Sequence, residues 1–332
     1  MCADQSLSHL YSIVNVTDLT AFFIKEILRL LYKTMTINSP LFGINTLDAE
    51  HQNKFHTVYN ELKLTHTSYV QYKINLQLKN KMNAEDEENE WCYELHRFLR
   101  ARKWNVSHTI KSIREMIQWR IDNHVDLIIE DESVILRMQI IRKLAPSAHH
   151  GYTKAGQPLF IEKFGLVHVD QLLNQFTSEE LIQCHIYWLE YCCQRARERS
   201  RQLGKHVETF ATIYDLHACK LELTKLLPVF KQSVHIDDNY YPERLGQMFL
   251  INPPMIFPIL WDLAKYWLDP VTKTKIHVIK KGPETSTILL QNIDSDQLPH
   301  EYGGICQSCP TAPNCIPVYE WNKDIADEKQ EE

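Results

Sequence analysis

Glycine is scarce in this chain, with 9 in 332 residues. Enzymes that cradle phosphates rely on glycine, because only it lets the backbone come close enough. The sequence has no GxGxxG, no GxxxxGKS or GxxxxGKT, and no GxSxG. No nucleophile–base pair or cofactor loop stands out, so an enzyme is not expected. Positive charge is also short. A net charge of −6 argues against a nucleic-acid binder held by overall charge. No apolar run reaches ~18 residues free of charge, so no transmembrane helix is expected. No signal peptide is evident, and the nine cysteines are scattered. A reducing cytosolic setting is expected rather than a disulfide framework.

What is present is organised around Asn239 to Lys281. This stretch reads as a charged turn, a buried strand, an apolar helix, a second charged turn and another strand. Glu243 and Arg244 occupy the first turn. Leu245 to Ile251 has the apolar run of an inner strand. Asn252 is placed to cap a helix from Pro253 to Leu268, with Pro253 and Pro254 in its first turn and Asp269–Pro270 stopping it. Ile256, Ile259, Leu260, Leu263 and Trp267 form one apolar stripe. Phe257, Trp261, Ala264 and Leu268 form a second. A helix apolar nearly all round is either buried in a core or faces something apolar other than its own sheet. Both readings stand at this point.

YYPERLG, LINPP and LDPVTKTKI, with LHRFLRARKWNV upstream and LPHEYGG downstream, resemble the CRAL-TRIO lipid-binding family. The likeness is greatest to its phosphatidylinositol-transfer branch, over about residues 90 to 305. The resemblance implies an α/β fold, a mostly parallel sheet with flanking helices around a lipid pocket. A small helical subdomain precedes it. Domains are expected at 1–85 (an extension, partly helical or disordered), 86–140 (helical), 141–305 (lipid-binding) and 306–332 (a loose tail ending DEKQEE).

Local patterns fit that plan. Leu19 to Tyr32 is amphipathic and reads as a helix, packed on the main body or interfacial on a membrane. Phe55 to Leu78 could hold another. A helix is expected over Trp91–Trp104, followed by one from Ser107 to Arg120. A turn spans Gly151–Gly156, then a strand Pro158–Phe164. Thr177 and Glu180 have the spacing of a capping box that opens a helix to about Arg201. Glu208 to Leu216 is β-rich, and Leu221 to Val234 helical. Strands alternating with helices imply parallel pairing.

A lipid carrier needs apolar walls for acyl chains and a few polar groups for the headgroup. Thr272 and Lys275 lie three apart after Pro270, on one face of a turn. The resemblance places a phosphatidylinositol site at Tyr241, Glu243, Arg244, Thr272 and Lys275. Arg102 and Lys103 would hold the gate or attract anionic lipid, against a plainer reading as a solvated helix end. The gate helix would carry Phe257, Trp261 and Trp267. In phosphatidylcholine-binding relatives a second headgroup meets hydroxyls. The corresponding positions here are His149, Phe160 and Phe210, with Thr212 retained, so phosphatidylcholine should bind poorly and a less polar second lipid is expected. His149–His150 read most simply as a loop pair. Cys306, Cys309 and Cys315 with His300 upstream invite a zinc reading, but lack the paired spacing of a finger, so no metal is expected. No cofactor beyond bound phospholipid is implied. The reading is a monomeric cytoplasmic exchanger, visiting Golgi or endosomal membranes peripherally. A carrier of a sterol or haem and a protein-interaction module are the alternatives.

Overall fold

The computed structural model describes residues 46–76 and 84–319. The Leu19–Tyr32 segment and the DEKQEE terminus lie outside them. Helix α1 runs Ala49–Asn75 and buries Phe55, Val58, Leu62 and Tyr69 at helical spacing. It packs on α2 (Ala84–Ala101) and α3 (Val106–Asp122). The His66 ring stacks on Trp91 at 4.3 Å, and the Tyr59 hydroxyl donates to Glu88 at 2.7 Å. The helical unit thus includes residues well upstream of 86. Helix α3 starts earlier than Ser107, because the Asn105 side chain accepts from the His108 amide at 3.0 Å and caps it. Helix α4 (Glu132–Leu144) is capped in the same way by Asp131. Among the described residues no helix is long and apolar enough to cross a membrane.

The body is a five-stranded sheet in sequential order, β1 (Ser147–Tyr152), β2 (Pro158–Glu162), β3 (Phe210–Asp215), β4 (Leu245–Ile251) and β5 (Ile276–Ile279). Strands β2 to β5 are parallel, and β1 pairs antiparallel on the edge. The fold is therefore the mixed α/β architecture expected. Helices α5 (Val169–Gln175), α6 (Ser178–Leu203), α7 (Leu227–Tyr240), α8 (Phe257–Ala264), α9 (Pro270–Thr274) and α10 (Glu284–Asn292) connect and flank it. The Thr177–Glu180 capping box forms as read, and Gly204 in the left-handed region ends α6.

Alternation along the strands divides the sheet into two faces. Leu159, Ile161, Ala211, Ile213, Phe249 and Ile251 point to one, sealed by Leu289 of α10 and by Cys306, Cys315 and Ile316. The 306–316 segment is thus part of the core, not a loose tail. Phe160, Phe210, Thr212, Met248 and Leu250 point to the other face. There α6 covers one end, and α5 and α8 cover the other.

Three further expectations are corrected. Gly151 is not the start of a turn: it lies inside β1, and His149 and His150 are strand residues. Asn252 does not cap a helix. It sits at φ 54 and its side-chain amide donates to Asp215 at 2.9 Å. The apolar helix is accordingly shorter than Pro253–Leu268, with Ile256 at its N-cap and Pro258 in its first turn.

Candidate functional site

The turn from Tyr241 to Arg244 is clamped from several elements. Tyr241 is buried, and its hydroxyl donates to Glu190 of α6 at 2.5 Å. Arg120 of α3 reaches the same carboxylate at 2.7 Å and Asp126 at 2.7 Å. Burial works against the Glu190 charge, but the Arg120 guanidinium overrides it and holds the carboxyl down at about 2. Arg244 is buried, pairs with Glu94 of α2 and donates to the Glu208 carbonyl at 3.1 Å. Arg97, also buried, donates to the Pro242 carbonyl. Tyr241 and Arg244 are thus inward-facing structural clamps that fix the position of the two residues between them, Pro242 and Glu243.

Of these, Glu243 has φ 60. A non-glycine held there carries strain that the clamps must impose. Its carboxylate pairs with Lys275 at 2.9 Å. The Lys275 amide donates to the Thr272 carbonyl at 3.0 Å, so both residues lie on the one turn that closes α9. The structure therefore brings Glu243, Thr272 and Lys275 together, while Tyr241 and Arg244 stand behind them. Arg102 is elsewhere. It donates to Ser112 at 3.0 Å and to the Asp238 carbonyl at 3.1 Å, joining α3 to α7. Lys103 is exposed, at φ 51.

A second group lies on the helix-covered sheet face, beneath α6. His149, Phe160, Thr212 and Met248 are successive register partners across β1 to β4. Trp188 of α6 lies 5.3 Å from Phe160 and 5.1 Å from Phe210, ring to ring. His149 packs on Phe160 at 5.1 Å and Tyr191 at 4.5 Å. Burial, with Arg195 and Arg142 nearby, holds the imidazole well below its usual range, so it is neutral at physiological pH. Thr212 Oγ1, His149 Nε2 and Trp188 Nε1 are buried with no hydrogen-bond partner. Stranding such groups costs ~1–3 kcal/mol each, which a ligand could recover.

Glu162 shares this face, two residues after Phe160, and burial pushes its carboxyl up to about 8. Sequence reading passed over it and Trp188. The alternation in PLFIE carried the signal for Glu162, while Trp188 was one of several aromatics on a long helix.

Helix α8 presents two sides. Phe257, Leu260 and Trp261 pack against Leu216, Leu223 and Leu250. Met255 just before the helix, Ile259 and Leu263 within it and Tyr266 just after it are exposed, Met255 almost completely at 99%. Trp267 lies 6.1 Å from Phe230 of α7. The segment is therefore not a buried core helix: one side packs half-buried against the core cluster, and the other is apolar and faces solvent.

The chain matches the CRAL/TRIO domain over residues 145–304 and the CRAL/TRIO N-terminal domain over 66–115. Similar proteins include the Sec14 cytosolic factor of Schizosaccharomyces pombe, 31% identical over 69% of this chain and 80% of the relative. The SEC14 cytosolic factor of Eremothecium gossypii is 34% identical over 63% of this chain and 68% of the relative. A phosphatidylinositol/phosphatidylcholine transfer protein of Arabidopsis thaliana is 33% identical over 66% of this chain, and the match spans only 40% of that longer protein. The crystal structure of Sfh5 has the same fold, with a TM-score of 0.57 at 15% identity over 84% of this chain and 97% of that one. By its sequence and its sheet, the chain belongs to the CRAL/TRIO family.

Proposed function

We propose that this protein binds phosphatidylinositol and moves it between membranes, as a carrier and not an enzyme. The observation that carries the reading is the set of unpartnered polar atoms on an apolar sheet face, Thr212 Oγ1, His149 Nε2 and Trp188 Nε1. A packed core removes such atoms, whereas a ligand site keeps them. The name of the Arabidopsis thaliana relative, a phosphatidylinositol/phosphatidylcholine transfer protein, supports the substrate class. Lys275 and Thr272 offer an ammonium and a hydroxyl to the phosphate, and Glu243 accepts from inositol hydroxyls.

Helix α8 acts as the gate. Its packed side closes the face in water, and its exposed apolar side enters the headgroup boundary when the protein touches a bilayer. The protein works as a monomer in the cytoplasm, visiting Golgi or endosomal membranes peripherally. With Phe160 and Phe210 where phosphatidylcholine-binding relatives use hydroxyls, the second lipid is a less polar molecule than phosphatidylcholine. A haem carrier is the second reading, favoured by the buried neutral imidazole of His149 with its free Nε2. Native mass spectrometry of the purified protein tests both. A co-purifying phosphatidylinositol mass supports the proposal, a porphyrin mass supports the second reading, and a ligand-free protein counts against both.

A further inference from the structure

Three cysteines whose sequence spacing lacks the pairing of a zinc finger meet one histidine distant in the sequence. His150 lies in β1, and Cys306, Cys309 and Cys315 follow the last helix. One potential ligand atom from each lies within 4.8 Å of the other three. His300, the histidine nearest in sequence, is not among them, since its Nε2 lies 3.1 Å from the Cys306 carbonyl.

His150 is prepared for coordination. Its Nδ1 is 3.0 Å from the Gln297 carbonyl. A carbonyl only accepts, so Nδ1 carries the proton and Nε2 keeps its lone pair. Nε2 is buried without a hydrogen-bond partner, in a side chain only 4% exposed. An imidazole whose far nitrogen donates to a carbonyl is the usual arrangement of a metal-bound histidine.

The backbone is shaped around this contact. The β1–β2 register shifts between His149 and Tyr152, which re-aims the side chains there. Gly151 has φ 59, and a Cβ on it would stand 2.9 Å from the same Gln297 carbonyl oxygen. Cys306 and Cys315 are buried, Cys309 half-buried, and all three are free thiols. The Cys306 sulfur lies 3.8 Å from the Ser308 hydroxyl.

We propose that His150, Cys306, Cys309 and Cys315 form a tetrahedral Cys3His zinc site that fastens the 306–316 segment to the edge strand β1. Bond lengths of ~2.3 Å to sulfur and ~2.0–2.1 Å to nitrogen need ligand atoms ~3.5–3.8 Å apart, a contraction of ~1.0–1.3 Å from a separation of 4.8 Å. Thiolate and imidazole donors select zinc over magnesium or calcium. Four protein ligands leave no open position, so the site is structural, not catalytic. It would hold Cys306, Cys315 and Ile316 against Leu159 and Ile213 in the core, independently of which lipid occupies the opposite face.

The test uses the full chain, produced without a histidine tag and purified without chelator. Metal analysis should find about one zinc per chain. Cobalt exchanged into the site should show the visible bands of a tetrahedral ion with sulfur ligands and thiolate charge transfer in the near ultraviolet. Cys309→Ser changes the most accessible ligand and should lower zinc affinity at least tenfold. Circular dichroism at saturating zinc would verify its fold, and the cobalt spectrum of the unmutated chain stands as the measure if that variant fails to fold. Metal-free protein with a disulfide among the three cysteines would overturn the proposal. So would three thiols that titrate freely in zinc-saturated protein, or zinc retained unchanged by a folded Cys309→Ser variant.

Discussion

Lys275→Ala separates a ligand contact from a structural one, because the magnitudes of the two differ. In the free protein Lys275 pairs with Glu243 at 2.9 Å, and both side chains keep a fifth to a quarter of their exposure (20% and 26%). A pair this open contributes ~0–1 kcal/mol to stability. Its removal leaves Glu243 unpaired but still hydrated, so the fold should hold. Against a phosphate in an apolar setting, the same ammonium makes a charge-assisted bond worth ~1.5–3 kcal/mol. That corresponds to a loss of roughly 10- to 150-fold in affinity. Transfer of labelled phosphatidylinositol between vesicles should therefore fall at least about tenfold, while the chemical denaturation midpoint barely moves. Glu243→Gln should reduce transfer too, and the double variant should cost less than the sum, since the residues are in contact. A folded Lys275→Ala protein that transfers phosphatidylinositol at the unmutated rate would refute the assignment. A loss of transfer that merely tracks a loss of folded protein would refute it equally.

Arg120→Ala leaves Glu190 and Asp126 buried without their cation and should destabilise the fold by ~3–5 kcal/mol in urea denaturation. Glu162 is held at about 8 against an ordinary 4.5. Its folded pKa is raised, so its contribution is fully present below the unfolded value and is lost as pH rises through about 8. Stability should fall over that window, and Glu162→Gln should flatten the decline, read by thermal melts across pH. Trp261→Asp places a charge where α8 packs on Leu216 and Leu250. It should impair both folding and vesicle binding, whereas Ile259→Asp, on the exposed side, should weaken vesicle binding and leave the melt unchanged.

The legible part of the fold was the part set by local chemistry. Leu245–Ile251 is a strand because its apolar run is bounded by a charged turn and an asparagine, and the Thr177–Glu180 box opens α6 for reasons contained in four residues. What the sequence left obscure depends on distant partners. Asn252 looks like a cap until Asp215 claims its side chain. Edge strand β1 has two histidines and a glycine where β-branched residues would have announced it. Tyr241 and Arg244 belong to a motif associated with a ligand, yet Glu190 and Glu94 turn them inward, a fact that only the packing of α2 and α6 reveals. The same holds for Cys306, Cys309 and Cys315. Their missing fourth partner is His150, brought there by the sheet from nearly half the chain away.

The central claim is that the sheet face beneath α6 and the Glu243–Lys275 turn serve one phospholipid headgroup above others. The most direct measurement is transfer of labelled phosphatidylinositol and labelled phosphatidylcholine by one preparation, between identical vesicles at one salt concentration. Phosphatidylinositol should move efficiently. Phosphatidylcholine should lag by about tenfold or more, since each headgroup oxygen left without a donor costs ~1–3 kcal/mol. Equal transfer of both would contradict the preference, and transfer of neither would contradict the account.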